Sequence, residues 1–441
     1  MRVVYSRPMD ATPLPRQPNM AEVSTSVDSA RSRAFRLKLT CASFLLVLAD
    51  GYDINLASFA GRHIMRAWGL PDAAALAPFI TASVAGMLCG APLAGMAGDR
   101  LGRRTAVIAA NVTFGMATLL AATSHAIHEL AAWRFVAGLG LGGLLPNIIA
   151  LNAELAPPGR RARAIITMFC GVTIGGTLAG ALSPAIASRY GWPALFVVGG
   201  LLPLALAVVA WRWLPESPAH LRLRADPHAR RPRTADPAAA RGVGALFRNG
   251  RASLTLALWA CFACNLMAFY FIQSWLPIVL AQAHVTVPRA AQAGAFFQAG
   301  GTLGALLLAP VLDRRGLSMV AVLFAAAVPA ISAIGYAAGH SDRALFIVVT
   351  CAGVCSLGLQ FGLNAASALV YPTTCRASGS GWALGIGRIG SLAGPVIGAW
   401  LIARGIPLTQ LYLYAALPSL AGTIAATALW RLHARHAHGL I

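Results

Sequence analysis

Two carboxylates, Asp50 and Asp53, stand three residues apart in a predominantly apolar run from Leu37 to Ala60. About 20 apolar residues at 1.5 Å each cover the ~30 Å hydrocarbon core of a bilayer, so the run is long enough to cross one. A charge at that depth costs at least ~2.5 kcal/mol, so such a group marks a functional site. On a helix, positions i and i+3 share a face, so both acids open into one space. Gly51 between them leaves room for a neighbouring helix. A helix ending at Asp50, with both acids in a loop, is the plainer alternative. Other charge within apolar runs is sparse: Arg134 near one end of the fourth run, Glu154 near its other end, and Arg388 well inside the eleventh. Arg388 has no acid in the spans of its own half, because Asp313 and Asp342 fall in loops. Its guanidinium fork is left to backbone carbonyls, to snorkelling, or to a carboxylate from outside the chain.

The elements that must hold these groups are membrane spans. Hydrophobic residues make up 57% of the 441 and charged residues only 11%, a balance that excludes an ordinary soluble globule. The net charge of +21 invites a nucleic-acid reading, but its distribution refuses it. Lys and Arg fall 27 on the side of the N-terminus and 6 on the other, with Arg134 and Arg388 inside spans. That asymmetry places both termini in the cytoplasm, with an even number of spans, and leaves the basic surface to lipid head groups. Cys261 and Cys264 form a C-x-x-C with no second pair or histidine nearby, so no metal site is expected. Nor is there a G-x-x-x-x-G-K-[ST] loop, a serine elbow or a His-Cys-carboxylate cluster, so neither ATP coupling nor an enzyme is indicated, and no cofactor is expected.

Residues 1–36 are polar and basic without an apolar core, hence a disordered cytoplasmic tail rather than a secretory signal, and Met20 is a possible start. Six spans are expected over 37–60, 76–97, 105–123, 130–154, 164–188 and 193–214. A basic, Pro- and Ala-rich linker covers 215–251. Six more span 252–282, 291–311, 318–338, 344–371, 378–403 and 409–430, and a tail covers 431–441. Every histidine is expected in a loop or tail. The two halves repeat. Asp99-Arg100-Leu101-Gly102 after the second span returns as Asp313-Arg314-Arg315-Gly316 after the eighth, and Ala137-Gly138 in the fourth as Ala352-Gly353 in the tenth, at offsets of 214 and 215 residues. Parallel six-span repeats with a midplane site between them are a transporter architecture. The fold class is therefore an all-α membrane protein of twelve helices in two pseudo-symmetric halves. The series Gly138, Gly140, Gly142 and Gly143 reads as close helix packing.

The loop Gly95-Met96-Ala97-Gly98-Asp99-Arg100-Leu101-Gly102-Arg103-Arg104 resembles the signature of the major facilitator superfamily, and Leu214-Pro215-Glu216-Ser217-Pro218 its usual exit from span six. Asp50-Gly51-Tyr52-Asp53, the fourth span from Arg134 to Asn147, and Tyr371–Arg376 leading into Gly385-Ile386-Gly387-Arg388-Ile389-Gly390 resemble its aromatic acid:proton symporter family. The stretches 139–147, 169–172 and 198–203 look most like the hydroxyphenylpropionate branch, with hydroxybenzoates and gentisate open. The resemblance implies a monomeric inner-membrane importer of a small aromatic carboxylate together with protons. With every histidine placed outside the spans, the proton must ride a carboxylate. Burial in apolar surroundings favours the neutral acid and a nearby arginine the anion, so protonation follows the opening of the cavity. Asp50 and Asp53 are the proton carriers expected, with Arg134 as counter-ion and Glu154 as a further coupling residue. Arg388 is expected on the substrate carboxylate. Asn265, Tyr270, Gln273, Gln298, Gln360 and Asn364 could hydrogen-bond ring hydroxyls, and Phe297, Phe361 and Trp382 could stack on the ring. Asp99, Arg100, Arg103 and Arg104, with Asp313 and Arg314, are expected to clasp the halves at the cytoplasmic surface. An exporter of the same fold is the nearest rival. A membrane sensor of aromatic acids is another, but the short linker and tails offer no signalling domain.

Overall fold

The computed structural model describes residues 33–155, 161–218, 220–221, 246–248, 250–283, 285–371 and 376–437. Among them are twelve long helices. The first half holds α1 (Arg33–Trp68), α2 (Ala77–Leu101), α3 (Arg103–Ala121), α4 (Ile127–Leu155), α5 (Arg161–Tyr190) and α6 (Trp192–Trp213). The second holds α7 (Ala252–Gln282), α8 (Val287–Arg315), α9 (Leu317–Ala337), α10 (Asp342–Val370), α11 (Arg376–Ala403) and α12 (Leu408–Ala437). Eleven of them include a stretch long and apolar enough to cross a membrane. The remaining one, α8, carries no Asp, Glu, Lys or Arg from Ala290 to Leu312.

Several helices outrun the apolar runs that announce them. Hydropathy stops at the first charges, whereas backbone hydrogen bonding carries a helix on into the head-group region. Thus α1 does not end at Asp50 or at Ala60 but continues to Trp68, and α12 takes in Arg431, His433, Arg435 and His436. This corrects the placing of histidines in loops and tails, since His63 lies on α1 within the membrane-length stretch Leu37–Trp68. The tail before residue 33 and most of the linker lie outside the described residues.

The packing repeats as the sequence does. In the first half α1 lies on α5 and α6, α2 on α4, and α3 on α4 and α6. In the second α7 lies on α11 and α12, α8 on α10, and α9 on α10 and α12. Gly102 turns α2 into α3 at φ 99°, and Gly316 turns α8 into α9 at φ 55°, backbone that L side chains rarely adopt. The halves meet along α5 and α8, α1 and α7, and α2 and α11. Their cores show which end is shut. At the end where α1 finishes (the far end), one apolar cluster runs through both halves, including Leu56, Phe59, Ile80, Trp275, Ile278, Ala291 and Phe297. At the near end the cores are separate, one built on Leu46, Phe114 and Leu144 and the other on Leu258, Phe262 and Leu363.

Candidate functional site

The charged groups gather where the three seams between the halves converge. Asp53 on α1 and Arg134 on α4 are both fully buried and form an ion pair, Arg134 Nη1 donating to Asp53 Oδ1 at 2.7 Å. Arg134 Nη2 also reaches the Asp53 carbonyl at 3.3 Å, and Thr118 on α3 donates to the same carboxylate oxygen at 3.1 Å. Asp53 is therefore turned into its own half. Asp50, one turn earlier and equally buried, has no hydrogen-bond partner on either oxygen. Its electrostatic partners are Arg388 and, less strongly, Asp53. The two acids share a helix face but answer to different cations.

The geometry around α1 depends on glycine. A Cβ at Gly51 would fall on the Val172 carbonyl of α5, and one at Gly175 on the Leu48 carbonyl of α1. Backbone thus meets backbone beside the acids, as small residues at membrane helix contacts allow.

Across the seam, Arg388 on α11 donates to the Tyr270 hydroxyl of α7 at 3.5 Å and lies 4.0 Å from Met87 Sδ. It has no carboxylate within ion-pair distance among the described residues. Gln273, one turn beyond Tyr270, is buried with an unpartnered Oε1. Gln298 on α8 is buried with both amide atoms unpartnered, and a Cβ on Gly176 would press on it and on Asn55. Beside it Thr302 donates to Thr173, joining α8 to α5.

Other expected contacts are occupied within the protein. Asn265 donates to Gln360 at 2.8 Å, tying α7 to α10. Trp382 is exposed and stacks on Trp259 with centroids 6.1 Å apart. Phe297 stacks on Phe269 at 5.9 Å, and Phe361 meets Phe169 edge-on at 6.1 Å across the seam. The Ser367 hydroxyl donates to the backbone carbonyl of Asn364, a bond that does not involve the Asn364 side-chain amide. Glu154 is not with the other acids. It sits at the near end of α4, taking Arg103 Nε at 2.9 Å and the Ser217 hydroxyl. Glu216 accepts the amides of Arg104 at 3.1 Å and Ser217 at 2.9 Å, and Arg104 also reaches the Trp211 carbonyl. These partners lie at the near end of the first half and at the start of the linker. Arg100 is exposed, and the side chains of Asp99, Asp313 and Arg314 lie outside the described residues.

The hydroxyls of Thr118, Thr173 and Thr302 and the amide of Asn55 went unnoticed in the sequence. Single small polar residues in apolar spans carry no signal that separates them from packing. Among the described residues no three His, Cys, Asp or Glu side chains converge as a metal site would need.

The family model described as Major Facilitator Superfamily matches residues 42–332. A gallate transporter of Pseudomonas putida is 33% identical over 426 residues, 92% of this chain and 94% of its own. The 4-hydroxybenzoate transporter PcaK of Pseudomonas aeruginosa is 34% identical over 412 residues, 89% and 91%. The 3-(3-hydroxy-phenyl)propionate transporter of Escherichia coli is 33% identical over 382 residues, 86% and 91%. Two solved structures share the fold, each with a TM-score of 0.68. One is a bacterial homologue of the human lysosomal transporter Spinster, inward-facing and unoccupied, 19% identical, covering 91% of this chain and 96% of its own. The other is the xylose transporter XylE of E. coli, partially occluded and inward-open, 16% identical, covering 90% and 98%.

Proposed function

The chain belongs to the major facilitator superfamily, and from that premise we propose that it imports a small aromatic carboxylate with protons by alternating access. The observation that carries the reading is the pairing of vacant valences across the seam. Among the described residues, Arg388 offers a guanidinium with no carboxylate bound to it, and Asp50 offers a carboxyl group with no hydrogen bond. A substrate carboxylate between the halves would give Arg388 its bidentate partner and free Asp50 to carry a proton. The similarity to gallate, hydroxybenzoate and hydroxyphenylpropionate transporters supports an aromatic acid as the cargo. In this reading 37–214 and 252–430 rock against each other about the linker 215–251. The termini face the cytoplasm across the inner membrane, so the near end opens to the cytoplasm.

Uptake of labelled 4-hydroxybenzoate into energised vesicles, competed by unlabelled gallate, hydroxyphenylpropionate, benzoate and benzamide, tests the cargo. The acids should compete and the amide should not. Arg388→Ala should lose about ten- to a hundred-fold in affinity for the acid, the ~1.5–3 kcal/mol of a charge-assisted hydrogen bond. Arg388→Lys should fall between the two. Asp50→Asn should abolish uphill accumulation while downhill exchange survives. Equal losses for acid and amide on mutation would move the carboxylate away from Arg388, and undiminished accumulation in Asp50→Asn would remove the proton from Asp50.

A further inference from the structure

On the shut, far side of the seam, a small cavity lies between the Asp53–Arg134 pair of one half and Tyr270 of the other. Its lining includes Ser58, Ser83, Arg134, Tyr270, Gln273 and Ser274. The cavity measures about 20 Å³, where one water needs at least ~10–15 Å³ and two to four polar partners. An aromatic ring has no room here. Three of the lining residues carry buried polar atoms with no hydrogen bond: Ser83 Oγ, Gln273 Oε1 and Arg134 Nε. Tyr270 accepts from Arg388 and keeps its own O–H proton to donate. Buried polar atoms left in this state are costly, and their hydrogen-bonding capacities match one occupant.

We propose that this cavity binds one ordered water, which accepts from Arg134 Nε–H and the Tyr270 hydroxyl and donates to Gln273 Oε1 and Ser83 Oγ. Two bonds in and two out complete the water's tetrahedral set and give each of the four side chains a partner in the cavity. A cation is disfavoured by the Arg134 guanidinium in the wall, and an anion by the Gln273 carbonyl oxygen. The water joins Ser83 and Arg134 of the first half to Tyr270 and Gln273 of the second. Through Tyr270 it links the buried ion pair of α1 and α4 to Arg388 on α11. The link holds only while the far end is shut, because its four ligands divide between the halves. This site stands whichever acid is carried.

The test is infrared difference spectroscopy on the full-length protein in membranes, comparing ordinary water with oxygen-18 water. A narrow O–H stretching band that shifts with the isotope is expected in the wild type and in Gln273→Glu, which keeps an acceptor. It should be missing in Gln273→Leu and in Ser83→Ala. Thermal unfolding of the purified variants gives a second reading. If both residues hold one water, the fall in melting temperature of the double variant should be well short of the sum of the single falls. Absence of the band in the wild type, its survival in both single variants, or additive losses of stability would each overturn the proposal. A band or melting temperature that tracks chloride or sodium concentration would replace the water with an ion.

Discussion

Arg134 and Asp53 are joined with no solvent exposure at either side chain, and Thr118 takes part of the remaining hydrogen-bonding capacity. Removing one member strands the other in a low-dielectric interior, a loss of ~3–5 kcal/mol, whereas removing both leaves no orphan charge. Arg134→Ala and Asp53→Ala should therefore each lower the melting temperature of purified protein sharply. Asp53→Asn combined with Arg134→Gln should cost much less than the two single losses together. Additive effects would mean that the pair is not energetically coupled. The presence of buried charge at these positions was legible from the sequence, since charge inside a membrane-length apolar run is conspicuous. Which acid meets which arginine was not. Asp50 and Asp53 are three residues apart on one helix, and only the placement of α4 and α11 around that helix sends one to Arg134 and the other toward Arg388. The same holds for Trp382 and Trp259, whose 123-residue separation carries no periodic signal.

At the scale of elements, α2 and α4 are brought together by glycines that alternate between them. A Cβ at Gly86 would strike the Phe135 carbonyl and one at Gly90 the Leu139 carbonyl, while Gly138 and Gly142 stand in the same way against Ser83 and Met87. Gly95, five residues further along α2, meets nothing within 4 Å. Gly90→Ala should consequently lower the melting temperature and the monodisperse yield in size-exclusion chromatography, with Gly95→Ala close to wild type on both. Equal damage from the two would mean that contact at α4 is not what α2 requires of its glycines. The glycine spacing on α4 was readable as packing, and the twelve helices followed from hydropathy and charge. Helix ends were not readable in the same way. Arg62, His63 and Arg66 end the apolar pattern of α1 without ending its hydrogen bonding, which runs on to Trp68.

Over the whole molecule, one apolar core crosses both halves at the far end and two separate cores stand at the near end. Thr173 and Thr302 are bonded across the α5–α8 seam. Replacing both with cysteine should allow an oxidative cross-link there. Cross-linked protein should stop accumulating substrate and recover on reduction, with either single variant unaffected by oxidant. Full uptake by the cross-linked form would show that the halves need not part along α5 and α8. The repeat made this arrangement foreseeable in outline, because parallel halves must share an interface. Which end is shut is a property of the packed conformation and is not written in hydropathy.

The division of buried charge between the halves has an electrical consequence. Asp53 and Arg134 lie on α1 and α4 of one half, so in the alternating access proposed above the pair would displace no net charge through the membrane field. Asp50 and Arg388 ride on opposite halves. Each elementary charge carried across the field is worth ~2.3 kcal/mol per 100 mV. The response of turnover to membrane potential should thus be set by Asp50, Arg388 and whatever they hold. In proteoliposomes with a potassium diffusion potential, Asp50→Asn and Arg388→Ala should change the steepness of that response. Asp53→Asn combined with Arg134→Gln should slow transport without changing its steepness.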